Sequence, residues 1–359
     1  MAGNEIQDGN HHRLVLRGIH RDGSELGTAI DDPKFPSATE IGWIGHANSG
    51  SWGANVVRVP VGSAQWTGAC FGKIVEHMGA PKYQAAVDAE INAITSAGMV
   101  ALLDLHTTTA DCTSVARHWM PDYDVSLQFW QSAAAHYASN NLVAFELANE
   151  PFNVTAQVWR NGTPDASIQE CYPTQTNYQT CLITKHKYRA IGMQQLHDTV
   201  AQAAPGHLIV VDGYDTATTA PAPLDNAETD TVYAVHPYTC PVPDSCLADK
   251  NKVNDTVLDA WRSLASAHPV LVSEFGWPTY KSDGSTLNPS GTAYYDQTIK
   301  YLDNPYVTGH AVDPAIPSWG FIAFAFDEQV NGSYDMVTNR NTYDPNSNAQ
   351  PVWNKLHNS

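Results

Sequence analysis

The chain is poor in positive charge and has no long apolar run, and each shortage excludes a class of function. Its 19 Lys and Arg stand against 37 Asp and Glu, a formal net charge of −18. A surface of that sign repels a phosphate backbone, so no nucleic-acid partner is expected. No apolar stretch approaches the roughly 20 residues that a membrane-spanning helix needs, so no membrane association is expected either. The opening MAGNEIQDGN lacks the basic and apolar regions of a secretory signal. No cysteine has zinc-ligand spacing, no HxxxH or HExxH joins the candidate histidines, and GSAQW with Gly62-Ser63 lacks the GxSxG spacing of a nucleophile elbow. A metal, another cofactor or a serine nucleophile is therefore not expected. No linker, low-complexity tract or repeat divides residues 1–359, which read as a single catalytic domain with residues 1–12 as a flexible amino-terminal segment.

What is present begins with six cysteines, Cys70, Cys112, Cys171, Cys181, Cys240 and Cys246. Four fall as close pairs in Pro-, Asn- and Thr-rich segments, as loop disulfides do. The favoured scheme joins Cys171 to Cys181, Cys240 to Cys246 and Cys70 to Cys112, although six cysteines allow fifteen connectivities. Oxidised loops imply a secreted, extracytoplasmic protein, and sequons at Asn153, Asn161, Asn254 and Asn331 are compatible with that.

Eight short runs rich in Val, Ile, Leu and Phe have strand length: RLVLRGI, ANVVRVPV, MVALLDLH, LVAFELANE, LIVVDG, TVYAVHPY, VLVSEFG and GFIAFAFD. Helical periodicity over 81–98, 125–140, 183–206 and 254–269 separates several of them. Near-continuous apolar strands alternating with helices imply a parallel sheet covered on both faces. Eight of them over this length predict an α/β fold, a closed (β/α)8 TIM barrel.

Such barrels build their sites at the carboxyl ends of the strands. Those ends carry Arg58, His106, Asn149 with Glu150, His236 with Tyr238, and Glu274. Each would cost about 1–3 kcal/mol if left unpaired in a core, so their convergence points to a site. Glu150 and Glu274 end strands on opposite sides of a barrel and can face each other across its mouth. One carboxylic acid protonating a leaving oxygen while another carboxylate attacks is the arrangement of glycoside hydrolysis. Glu146 lies about 13 Å down the same strand from Glu150, too far for a catalytic pair, and reads with Asp104 as a structural carboxylate.

The strand ends LLDLH, ELANEP, VHPY and VSEFGWP, with the Arg of VVRVPV, resemble glycoside hydrolase family 5, the cellulase and mannanase family whose catalytic glutamates lie on strands four and seven. The resemblance runs from RGIHRDG to FAFDEQ. It implies Glu150 as acid/base and Glu274 as nucleophile, Asn149 as the amide on the sugar 2-hydroxyl, Arg58 and Tyr238 as partners of the nucleophile, and His106 and His236 as sugar-binding and acid/base-supporting histidines. The family usually ends its eighth strand with Trp. Here Phe324 is the candidate for that position, with Phe326 second. Trp66, Trp119, Trp159 and Trp277 fall after strands two, three, four and seven and are candidate sugar platforms, whereas Trp130 and Trp261 lie in helical segments and are expected in the core. The expected activity is retaining cleavage of β-linked polysaccharide or oligosaccharide by a monomer, foremost as an endo-β-1,4-glucanase. Mannanase, xylan- or xyloglucan-active, exo-acting and transglycosylating versions of the same site are alternatives, and a catalytically silent carbohydrate-binding barrel is the alternative of another class.

Overall fold

The computed structural model describes residues 3–25, 34–69, 79–107, 118–171, 185–227, 230–238, 255–279, 288, 290–303, 316–326 and 334–358. Its strands are β1 (Arg17–His20), β2 (Val56–Gly62), β3 (Val100–Thr107), β4 (Val143–Glu146), β5 (Ile168–Cys171), β6 (Lys185–Tyr188), β7 (Ile209–Asp212), β8 (Thr231–Ala234), β9 (Val270–Phe275) and β10 (Gly320–Ala323). All but β5 and β6 close into one parallel barrel, in the order β1-β10-β9-β8-β7-β4-β3-β2. The β5–β6 pair is an antiparallel hairpin inserted between the fourth and fifth barrel strands. The barrel expected from the sequence is the fold observed.

The strands read as continuous apolar runs because both of their faces are buried. Inside the barrel Leu16, Val56, Leu102, Ala144, Val210, Val232, Leu271 and Ile322 form an apolar layer. Two residues further along four of these strands, on the same face, stand Arg58, Asp104, Glu146 and Asp212, each fully buried. A polar layer thus sits directly on an apolar one, at the carboxyl end where the site lies.

Outside, a second core joins barrel and helices. Helix α1 spans Ala38–Ile44, α2 Ser63–Thr67, α3 Ala80–Ser96, α4 Tyr123–Tyr137 and α5 Ala156–Asn161. In α4, Phe129, Trp130, Ala133, Ala134 and Tyr137 make the buried stripe, and the Asp122 carboxylate caps its start by accepting the Asp124 and Val125 N–H groups. Helix α6 spans Met193–Ala203, α7 Asp255–Ala260, α8 Arg262–Ala265, α9 Ser290–Asp303 and α10 Gln350–His357.

Three local expectations are corrected. The helical stretch over 183–206 begins only at Met193, because Lys185–Tyr188 pairs as β6 and the chain then crosses the end of α5. Gly192 permits that crossing, since a Cβ there would lie 2.3 Å from the Arg160 carbonyl oxygen. The helix over 254–269 is broken into α7 and α8 at Trp261, whose indole N–H is drawn to the Thr218 carbonyl at 2.9 Å. Residues 3–12 are not a loose tail. Leu14 N–H donates to Ile6 O at 2.8 Å, Asn4 Nδ2 donates to Ala265 O at 3.0 Å, and Ile6 packs against the inner apolar layer.

Of the six cysteines only the backbone of Cys171 is described, so the expected disulfides lie outside the described residues. Among the described residues no helix is long and apolar enough to cross a membrane.

Candidate active site

Arg58 is the hub of the polar layer. Its Nε donates to Glu146 Oε2 at 2.6 Å, Nη1 to Glu274 Oε2 at 2.8 Å, and Nη2 to Asn149 Oδ1 at 2.9 Å. Asp104 Oδ2 lies 3.1 Å from Nη2. Burial opposes the cation, but Asp104, Glu146 and Glu274 outweigh it and hold the guanidinium well above its usual range. The same charge acts in reverse on Glu146, where Arg58 overcomes burial and holds the carboxylate below its usual range. The fixed fork of arginine makes one cation serve several strands, which a lysine could not do.

Arg58 also settles the state of His20, at the end of β1. Burial first, then the guanidinium, hold this imidazole well below the usual histidine range, so it is neutral and its Nδ1 accepts from Arg58 Nη1 at 3.0 Å. His106 extends from β3 with its Nδ1 2.7 Å from Asp104 Oδ2, and its ring stands 5.7 Å from that of His20.

Glu274 and Glu150 face each other above this layer. In β9 the pairing with β10 shifts by one residue between Val272 and Phe275, which lets consecutive residues Ser273 and Glu274 both reach inward. Glu274 Oε1 accepts the Tyr238 hydroxyl at 3.0 Å; burial, then the Glu274 charge, keep that phenol protonated by raising it well above its usual range. Glu150 Oε1 lies 2.9 Å from His236 Nδ1, and His236 Nε2 lies 2.9 Å from Ser273 Oγ. Carboxylate oxygens of Glu150 and Glu274 approach within 4.8 Å of each other. Both residues are 8% exposed.

The family model for cellulase (glycosyl hydrolase family 5) matches residues 45–308. The chain belongs to glycosyl hydrolase family 5. It is therefore a glycoside hydrolase. The catalytic domain of the major endoglucanase of Xanthomonas campestris pv. campestris superposes with a TM-score of 0.64 at 17% identity, covering 100% of this chain and 99% of that one. A β-glucanase from Saccharophagus degradans, solved with cellotetraose, gives 0.64 at 15% identity over 99% and 91% of the two chains. The catalytic domain of endoglucanase Cel5A from Thermobifida fusca gives 0.60 at 16% over 99% and 96%. A search of curated protein sequences gives no match.

In this family 5 chain the aromatic residues divide sharply. Phe324, just beyond β10, is partly exposed, and its ring lies 4.8 Å from His20 at the floor of the site. Phe326 is fully buried against Tyr343 and does not reach the mouth. Trp66 and Trp159, expected as platforms, are core residues at 2% exposure. The indole of Trp66 donates to Ser132 Oγ on α4, and that of Trp159 to the Asp212 carbonyl, so neither presents a face to a sugar. Trp277 is nearly covered, tilted against Tyr294 at 5.0 Å. Trp119 alone of the four is half-exposed, edge-on to Phe152.

Reading strand ends missed His20, Asp212 and Ser273. His20 closes the run RLVLRGIH and Asp212 closes LIVVD as plainly as His106 closes MVALLDLH, so their signal was the one already used. Two trios among the described residues have metal-ligand spacing, Glu146–Asp212–His236 and Glu150–His236–Glu274. Both depend on His236, whose two nitrogens are taken up by Glu150 and Ser273, and the second also abuts the Arg58 cation. Neither offers the uncommitted set of ligands that a cation needs.

Proposed function

We propose that the chain is a secreted, monomeric endo-β-1,4-glucanase that retains anomeric configuration, with Glu150 as acid/base and Glu274 as nucleophile. The observation that carries the reading is the approach of their oxygens within 4.8 Å. An approach this close is in keeping with the ~5–5.5 Å of a retaining pair and falls short of the ~6.5–9.5 Å of an inverting one.

Arg58 and Tyr238 both donate to Glu274, one to each oxygen, and so orient the carboxylate that attacks the anomeric carbon. As the new ester bond forms, the glycosidic C–O bond breaks and the Glu150 proton passes to the leaving oxygen. In the second half Glu150 takes a proton from water, the water oxygen displaces Glu274, and two inversions restore the starting configuration. Asn149 has its amide oxygen fixed on Arg58, so its NH2 end is available to the sugar 2-hydroxyl. The β-1,4-glucan assignment is supported by the endoglucanases of similar fold, one of them solved with cellotetraose.

The test is reducing-sugar release from cellulose, mixed-linkage glucan, glucomannan, xylan and laminarin, with the anomer formed first followed by NMR. Glu150→Gln and Glu274→Gln should each lower turnover by about 10²–10⁴-fold with an unchanged near-UV spectrum. Near-normal turnover in either variant refutes the residue roles, an α-anomer refutes retention, and release from xylan alone refutes the substrate.

A further inference from the structure

The acid/base Glu150 does not sit on a regular strand. Strand β4 ends at Glu146, and Glu150 itself has φ +48°, a left-handed backbone that costs a non-glycine residue about 1–2 kcal/mol. Such a conformation persists only where the surroundings impose it. We propose that Asp212 is the positioning residue of the acid/base, acting through the main chain of Glu150; the inference rests on the role assigned to Glu150 above.

Asp212, at the end of β7 and fully buried, accepts the Glu150 N–H on Oδ2 at 2.8 Å. Its other oxygen, Oδ1, and Glu146 Oε1 are both buried and meet no N–H or O–H donor from any other group. Yet the two carboxyl groups lie within hydrogen-bonding reach of each other. Two acceptors can share that contact only across a proton. Its location follows from the surroundings: Arg58 keeps Glu146 ionised, whereas burial, then the Glu146 charge, raise Asp212 well above the usual carboxylate range. Protonated Asp212 donates to Glu146 with one oxygen and accepts from Glu150 with the other. Among the described residues His236 also faces it, with Nε2 3.7 Å from Asp212 Oδ2.

The consequence is a continuous chain of contacts from one cation to both catalytic carboxylates. Arg58 touches Glu274 directly and reaches the Glu150 backbone through Glu146 and Asp212. The segment after Asp212 adds a second hold. Asp215, Thr216 and Ala217 have φ near +58°, +58° and +56°, and this left-handed turn donates Thr216 N–H to Pro151 O at 2.9 Å and accepts His236 N–H on Ala217 O at 3.1 Å. The residue after the acid/base and the histidine beside it are thus fixed to the same turn.

The experiment compares Asp212→Ala, Asp212→Asn and Glu150→Ala on phenyl and 2,4-dinitrophenyl β-cellobioside, or the same aryl pair on whichever sugar the substrate screen selects. Glycosylation of the dinitrophenyl substrate needs no acid, whereas the phenyl substrate does. A displacement of about 1 Å costs on the order of 100-fold, so Asp212→Ala should lower kcat/KM about 100-fold for phenyl and only a few-fold for dinitrophenyl. Asp212→Asn preserves the acceptor toward Glu150 and a donor toward Glu146, and should retain activity on both within a few-fold. Should the alanine variant not fold, Asp212→Ser, too short to reach the Glu150 N–H, carries the same expectation. Equal losses on both substrates, no loss on either, or an asparagine variant as impaired as alanine overturns the proposal. If Glu150→Ala shows no leaving-group dependence, the acid/base role itself fails, and the two failures are thereby distinguished.

Discussion

Replacing Glu90 by Gln should remove a loss of stability that the parent protein undergoes as pH rises from about 5 to about 8. Glu90 lies on α3 at 2% exposure, beneath the segment that follows His20 and carries Ser24. Ser24 Oγ donates to its Oε2 at 2.6 Å, while Oε1 is buried without a partner. The nearby Arg21 cation is already bound by Glu40 at 2.6 Å. Burial, only partly offset by Ser24 and Arg21, pushes the Glu90 carboxyl from 4.5 up to about 7. That gap corresponds to about 3 kcal/mol. Because the folded-state value is the higher one, the native state favours the protonated form; the contribution is complete below pH 4.5 and is lost as pH rises through 7. About 2 kcal/mol of the loss develops between pH 5 and pH 8. Gln preserves the shape without the charge. In urea unfolding followed by tryptophan fluorescence, the variant should therefore gain about 2 kcal/mol on the parent between those two pH values, all other titrations being common to both. Parallel pH profiles for the two proteins would refute the buried, protonated Glu90.

Arg58→Lys retains a charge but not the fork, and should cost about 3–5 kcal/mol in urea unfolding by stranding at least one of its carboxylates; an unchanged midpoint contradicts the hub. Phe324→Ala should raise KM about tenfold at little cost to stability, from a lost stacking contact of about 1–1.5 kcal/mol. Phe326→Ala should do the opposite, leaving KM alone and lowering stability by about 3–5 kcal/mol. Similar effects on KM from both would mean that the buried and exposed rings have been misassigned.

Much of the protein is legible in its sequence. Eight apolar runs carry the barrel because a strand buried on both faces must be apolar throughout, and strand ends carry the chemistry because polar groups are tolerated where the barrel opens to solvent. The strand-end reading singles out Arg58, His106, Asn149, Glu150, His236, Tyr238 and Glu274 as candidates, and the structure brings them together. It failed for Trp66 and Trp159, since position after a strand does not say which way an indole faces; the hydrogen bonds to Ser132 and the Asp212 carbonyl turn both rings inward. It failed also between Lys185 and Tyr188, where helical periodicity yields to cross-strand pairing.

Local pattern is set by side-chain size and polarity along the chain, so residue types alone determine the strands and most of the helices, and single out the two glutamates as candidates. Closure of the barrel decides the rest. The spacing of Glu150 from Glu274, the one-residue shift that turns Glu274 inward, and the buried charge balance around Arg58 depend on strands distant in sequence. Hydrogen-bond geometry and electrostatic coupling follow separation in space, which only the folded chain defines.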